Sequence, residues 1–284
     1  MGFRVEIYSH FTCPTSYRLF KRLLERGLLE KVKIYDVGIN PYKAYARRIV
    51  SVPSIYIDDI LYYSGVFSVL EAVRTIENSS IQLEENFDYA KAVERIMLGY
   101  LDSSMIALSI FVYDDLESPF IFREFIEAVS RHIFYKYKSE ESFENLRKEF
   151  ISYIDNNREY FFEELLKAVA KILARDIVYT YWPEKPETYY FDDINKLLSH
   201  IYSRLSLGRV GMIAGYHELL KPRNLRSRVE YLKDHIDRNW DNLIEALHND
   251  LGNILKDEQY IREYSSRVVP IELRSDSKDY HRTI

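Results

Sequence analysis

The chain has 284 residues, enough for one large domain or two of ordinary size. Hydrophobic residues make up 47% and charged residues 29%, with a net charge of -5. That balance supplies a sizeable core and excludes a nucleic-acid binder working through a basic surface. A single cysteine, Cys13, excludes an internal disulfide and a multi-cysteine metal site.

The first predicted elements are short and alternate in type. Phe3–Ser9 reads as a strand, from the run Phe3-Arg4-Val5-Glu6-Ile7-Tyr8. Pro14–Gly27 reads as a helix. Leu19, Phe20, Leu23 and Leu24 give its apolar face, Pro14 suits its first position and Gly27 closes it. Lys31–Val37 alternates polar and apolar residues, as a half-buried strand does. Tyr42–Ile49 is short and helical. Pro53–Ile57 and Ile60–Tyr63 flank Asp58-Asp59, which is a hairpin signal. Val69, Leu70, Val73 and Ile76 mark a closing helix. The order βαβαββα predicts an α/β domain over residues 1–78, with a boundary at Asn78-Ser79-Ser80.

Beyond that boundary the spacing is helical and no strand is predicted, so residues 83–265 form a larger all-helical domain. Val93, Ile96, Met97 and Tyr100 share one face, as do Leu166, Val169, Ala170, Leu173 and Ile177. Val229, Leu232, Ile236, Trp240, Leu243 and Leu247 form a longer stripe. Such stripes are core faces. Met105–Tyr113 is apolar throughout but too short to span a bilayer, and Asp102 and Asp114-Asp115 flank it, so it reads as a buried helix. Ser118-Pro119 reads as an N-cap and first helical turn, and Trp182–Pro186 as a helix break. After Ser266 periodicity fades and charge rises, which predicts a loosely docked tail over 266–284. Met1-Gly2-Phe3-Arg4-Val5-Glu6 contains no apolar leader, so the expectation is a cytoplasmic protein with no membrane partner. Gln82 and Gln259 are the only glutamines, and with one cysteine and abundant charge the composition resembles that of a thermophile.

Cys13 stands where the first strand gives way to the first helix. There the unpaired amides and the helix dipole favour a thiolate over a thiol. The bland alternative is a small buried hydrophobe. Its place at the helix start favours the reactive reading.

Three stretches resemble the glutaredoxins, within the thioredoxin-like superfamily. Thr12-Cys13-Pro14-Thr15-Ser16 is like the family's T-C-P-x-C/S. Ser51-Val52-Pro53, followed by Ser54-Ile55-Tyr56-Ile57-Asp58-Asp59, is like T-V-P-x-[VI]-[FY]-I-[ND]-[GD]. Ser64-Gly65, expected to open the last helix, is like the family's G-G. The resemblance covers about the first quarter of the chain. It implies a four-stranded mixed sheet flanked by helices, a cis peptide before Pro53, and the Val52 backbone set beside Cys13 to receive a bound thiol or peptide. The candidate catalytic set is Cys13, Ser16 and His10. His10 stands where many members carry a lysine and could support a thiolate when protonated, although an ordinary surface histidine is the favoured reading. Ser16 could hydrogen-bond the thiolate or be a solvated helix hydroxyl. Pro14, Val52, Pro53 and Gly65 are the implied thiol-binding positions.

The departures from the family pattern shape the expected chemistry. Ser16 stands in place of a second cysteine, so the site is monothiol and needs an external thiol to resolve a mixed disulfide. Val66-Phe67-Ser68 carry no carboxylate where the family has one for the glutathione amino group. Arg47 and Arg48 lie near, but not at, the basic position before V-P. Pro14 departs from the C-G-F-S of cluster-carrying monothiol members, which argues against an iron–sulfur role. A thioredoxin-like domain followed by helices also resembles the glutathione transferase architecture, without a transferase motif.

The preferred expectation is a monothiol thiol–disulfide oxidoreductase with no tightly bound cofactor. Glutathione or another small thiol, or a protein disulfide, would be its partner. A transferase that activates a bound thiol and a non-catalytic scaffold stay open, as does a homodimer. Tyr179–Pro183 with Tyr189-Tyr190-Phe191 could wall a pocket over Cys13, but inter-helix packing is the favoured reading. Arg209, His217 and Glu218 sit among Gly208, Gly211 and Gly215, which suggest close helix approach rather than a phosphate cradle. His235, Asp237 and His248 lack zinc-site spacing.

Overall fold

The computed structural model of the chain describes residues 3–82, 86–134, 139–186, 191, 193–208 and 224–270. Its first part contains Val5–Ser9 (β1), Pro14–Glu25 (α1), Val32–Asp36 (β2), Pro41–Ala46 (α2), Ser54–Ile57 (β3), Ile60–Ser64 (β4) and Val69–Asn78 (α3). The sheet order is β2-β1-β3-β4. β1 runs parallel to β2 and antiparallel to β3, and β3 and β4 form a hairpin. This is the four-stranded mixed sheet and βαβαββα order that the residues predict.

Each element has a local cause. Pro14 occupies the first turn of α1, and Gly27 follows the helix with a φ of 65°, a conformation a side chain disfavours. Ser68 caps α3 by accepting from the Glu71 amide. Asp58 and Asp59 both take positive φ, which matches the twist of a two-residue hairpin turn. β1 is buried on both faces. Val5 and Ile7 face α1 and α3 with Ile34, Ile55 and Ile57, whereas Tyr8 packs on Tyr35 and Tyr56 across the other face.

The second part is helical: Tyr89–Asp102 (α4), Ser104–Tyr113 (α5), Arg123–Ser130 (α6), Glu140–Asn156 (α7), Arg158–Tyr181 (α8), Ile194–Gly208 (α9), Leu225–Leu255 (α10) and Glu258–Arg267 (α11). The predicted stripes lie in its core, with Ile244 taking the fully buried place in α10 and Leu243 only partly covered. α5 is the buried helix expected of Met105–Tyr113. Ser118-Pro119 opens a short 3-10 turn, Ser118–Ile121, rather than an α-helix; the Asp115 carboxylate accepts from the Glu117 and Ser118 amides and tightens the chain there. α8 ends at the predicted break, before a cis Trp182–Pro183 peptide. Among the described residues no single helix is long and apolar enough to cross a membrane.

The two parts share packing across the predicted boundary. Ile133 and Phe134 from a 3-10 turn, and Ile254, Tyr260, Tyr264 and Val268 from the end of the chain, join the core under the sheet. Residues 266–270 are tied down, not loose. Val268 bridges Ile34 in parallel, the Val269 amide donates to the Ile34 carbonyl at 2.9 Å, and Asn40 Nδ2 donates to the Val269 carbonyl at 2.9 Å. This covers the exposed edge of β2. The rest of the predicted tail lies outside the described residues.

α11 docks through buried polar groups. Asp36, only 3% exposed, accepts from the amides of Phe11 (2.7 Å), Gly38 (2.8 Å) and Ile39 (3.2 Å) and from the Tyr264 hydroxyl (2.7 Å). Tyr264 also shares a 2.7 Å hydrogen bond with Ser9. At the helix start, Asp257 takes Tyr17 Oη at 2.8 Å and Lys21 Nζ at 2.9 Å. Burial works against its charge, but these partners and the Tyr260 amide hold its carboxyl down to about 2. We predict that Tyr264→Phe, which leaves a buried carboxylate and Ser9 short of a partner, costs about 1–3 kcal/mol. Urea unfolding monitored by circular dichroism checks this, and an unchanged midpoint would contradict it.

Candidate functional site

Cys13 is the residue that caps α1, in extended backbone conformation, with no side-chain cap of its own. It is half-buried. Its amide donates to the His10 carbonyl at 3.0 Å, and its carbonyl accepts from Tyr17 at 2.9 Å, the first bond of the helix. The thiol lies 3.6 Å from the Val52 carbonyl oxygen. The Val52–Pro53 peptide is cis. The Gly65 amide donates to the Pro53 carbonyl at 3.0 Å. The chain segments around Cys13, Val52-Pro53 and Gly65 thus converge, although they lie far apart in sequence.

The helical part grips this proline loop through two consecutive residues, Asp102 and Ser103. α4 and α5 meet at 92°, and the corner is Asp102-Ser103-Ser104. Ser103 is fully buried; its hydroxyl donates to the Val50 carbonyl at 2.6 Å and caps α5 by accepting from the Ile106 amide. Asp102 Oδ2 accepts from the Ser51 hydroxyl at 2.8 Å. Ser104 Oγ accepts from Arg175 Nη2 at 2.9 Å. Asp102 keeps solvent contact as a residue. Crowding of its carboxyl by protein pushes its pKa up, against the pull of Ser51, Arg175 and Lys171.

A wall of α8, α9 and α11 completes the surroundings. Tyr179 Oη donates to the Thr12 carbonyl at 3.2 Å and Tyr260 Oη to the Phe11 carbonyl at 2.8 Å. Two phenols from opposite sides therefore hold the two residues before Cys13. The Phe11 ring stacks on Tyr260 at 5.3 Å. Burial raises the pKa of both phenols. On α9, Arg204 Nε and His200 Nε2 meet Asp176 Oδ2 at 3.0 and 3.1 Å.

The predicted site residues fall into two groups. Cys13, Pro14, Val52, Pro53 and Gly65 come together as described. Gly65 follows β4 with a φ of 62° and precedes α3 by several residues, so it does not itself open that helix. Ser16 and His10 are placed otherwise than expected. Ser16 is 2% exposed, and its hydroxyl accepts from the His10 amide at 3.4 Å, not from the thiol. His10 Nδ1 faces the Thr12 amide and hydroxyl at 3.3 and 3.0 Å. Burial lowers its pKa, the Asp36 carboxylate opposes this, and Arg175 and Arg204 lower it further. His10 Nδ1 thus shapes the loop, and its burial disfavours the charged form that would support a thiolate.

Asp102, Ser103, Ser104, Arg175 and Tyr260 were not singled out as site residues by sequence reasoning. The one local signal was the polar triplet between two apolar helical runs, which reads equally well as a simple break. His235 lines a cleft of about 350 Å3 between α8 and α10, while Asp237 pairs with Lys233 and His248 contacts the Pro183 carbonyl. A second cleft of about 370 Å3, along α7, includes Arg147 and Asp155. Neither is lined by Cys13. Tyr189, Tyr190, Arg209, Gly211, Gly215, His217 and Glu218, and the Gly208 position beyond its backbone, lie outside the described residues. Among the described residues no three His, Cys, Asp or Glu side chains gather as a ligand set. Comparison with protein families, with curated proteins and with solved structures gives no match.

Two outcomes follow for this region. A Cβ at Gly65 would stand 2.6 Å from Asp102 Oδ2 and 2.8 Å from Ser51 Oγ, in addition to the strained φ. Gly65→Ala is expected to lower stability by about 1–3 kcal/mol, read from chemical unfolding, and a neutral effect would show that the corner can shift freely. His10 binds protons more weakly in the folded than in the unfolded chain. Its contribution to stability is therefore complete above its ordinary value of 6.5 and is lost as the pH falls below it. Proton NMR titration should place its midpoint below 6.5, and His10→Gln should flatten that part of the stability profile.

Proposed function

We propose that this chain is a monothiol thiol–disulfide oxidoreductase of glutaredoxin-like type, with Cys13 as its nucleophile. The observation that carries this reading is the thiol at the N-cap of α1, 3.6 Å from the Val52 carbonyl and beside cis-Pro53. A helix N-terminus favours negative charge on a group at its cap. The Val52 backbone offers a bound partner a place to pair beside the sulfur.

In the proposed reaction the Cys13 thiolate attacks one sulfur of a disulfide. The Cys13–S bond forms, the original S–S bond breaks, and the leaving thiolate takes up a proton. Ser16 offers no second thiol, so an external thiolate attacks the mixed disulfide and restores Cys13. Glutathione or another small thiol fits this resolving role. The arrangement of helices after a thioredoxin-like sheet also suits a transferase, but the contacts on the segments around Cys13 are polar, Tyr179 on the Thr12 carbonyl and Asp102 on the Ser51 hydroxyl, which disfavours an apolar electrophile. A second reading, a non-catalytic docking module, draws on the clasp of Tyr179 over the Thr12 carbonyl and on the two clefts lying elsewhere.

Intact-mass spectrometry after incubation with glutathione disulfide separates the readings. The expected result is one glutathionyl adduct on the wild type, removed by added reduced glutathione and absent from Cys13→Ser. No adduct, together with iodoacetamide labelling no faster than for a free thiol, would sink the oxidoreductase and leave the docking module.

A further inference from the structure

Two opposite charges stand near Cys13 without pairing. Arg175 has as its hydrogen-bond partner the neutral Ser104 hydroxyl, and Asp102 has the neutral Ser51 hydroxyl. Among the described residues neither has an oppositely charged group within 4 Å. Both are nevertheless in one neighbourhood. Ser51 and Ser104 belong to the loop and the corner that Ser103 joins. Arg175 precedes Tyr179 by one turn of α8, so the two project from the same side of the helix. The Tyr179 hydroxyl rests on the Thr12 carbonyl, next to Cys13. Asp102 reaches the thiol loop through Ser51, the neighbour of Val52, whose carbonyl lies 3.6 Å from the thiol.

A half-buried guanidinium and an exposed carboxylate held at one corner, Arg175 on Ser104 and Asp102 two residues before it, without pairing to each other, gain when a third group bridges them. The bridge must carry a negative and a positive charge close together. It must also bring a sulfur to Cys13.

We propose that this lip receives the α-amino-acid group of the disulfide partner, its carboxylate on Arg175 and its ammonium on Asp102. The inference rests on the oxidoreductase reading and names the substrate class for it: a small disulfide whose sulfur is carried by a free amino acid or by a residue with its α-amino and α-carboxyl groups exposed. The helical domain would thereby select what reaches the thiol, through residues the sheet domain does not own.

The test uses four probe disulfides on the full chain. Cystine carries both charges, cystamine the ammonium alone, dithiodipropionate the carboxylate alone, and hydroxyethyl disulfide neither. The rate of adduct formation at Cys13 is followed by intact mass and divided by the rate of each probe with a small reference thiol. Cystine should be fastest, by about tenfold over hydroxyethyl disulfide. Arg175→Gln should bring cystine down to the level of cystamine and leave cystamine unchanged. Asp102→Asn should bring cystine down to the level of dithiodipropionate and leave that probe unchanged. Hydroxyethyl disulfide reports whether each variant keeps its thiol site intact; if one variant loses it, the other decides. Equal normalised rates for cystine and hydroxyethyl disulfide, or a cystine advantage untouched by an intact variant, would overturn the inference while the oxidoreductase reading stands. No reaction with any probe would overturn both.

Discussion

The buried hydroxyl of Ser103 is the contact on which the arrangement of this molecule turns. It satisfies the Val50 carbonyl, caps α5 and sits at the right-angled corner between α4 and α5. A buried carbonyl left without a partner is costly, and so is a helix start without a cap. One oxygen answers both needs, and in doing so sets the distance between the proline loop and the helices. Asp102 and Ser104 inherit their positions from it, and Arg175 from Ser104. The surroundings of Cys13 are thus a consequence of how one serine closes two backbone obligations.

The loop before Cys13 is fixed from three further directions. Asp36 accepts from the Phe11 amide, and the Phe11 and Thr12 carbonyls accept from Tyr260 and Tyr179. The Asp36 and Tyr260 contacts are part-buried, so they are directional and costly to displace, whereas the Tyr179 contact is exposed. Aromatic packing of Phe11 against Tyr260 and Tyr264 supplies the apolar part of the same joint. A thiol at the end of such a loop has little freedom, which suits a nucleophile that must meet a sulfur in line.

The first domain was legible because its signals are local. Pro14 and Gly27 bracket a helix, Asp58-Asp59 make a turn that only a hairpin needs, and alternation marks the strands. Cys13 and the Val52-Pro53 stretch were legible for the same reason, each being recognisable within a few residues. What local reading misses is what arrives from afar. Nothing beside Gly65 in the sequence says that Asp102 will crowd it, and nothing beside Arg175 says that it will bond the corner serine, Ser104. His10 was misjudged because its burial comes from packing by segments outside its own run. Ser118-Pro119 carried a genuine helix-start signal, but Asp115 accepts from the amides of Glu117 and Ser118 just before the proline, and the chain makes a tighter turn.

The joint between α11 and the thiol loop has a temporal side. Tyr260 and Tyr264 reach back over sequence separations of 249 and 255 residues to Phe11 and Ser9. Contacts of such separation close only after a large loss of chain entropy. On a ribosome the cysteine emerges about 250 residues before the aromatic residues that shape its loop. Until then Cys13 belongs to a segment without its supports. The finished site is therefore also a record that the chain has been read through to α11.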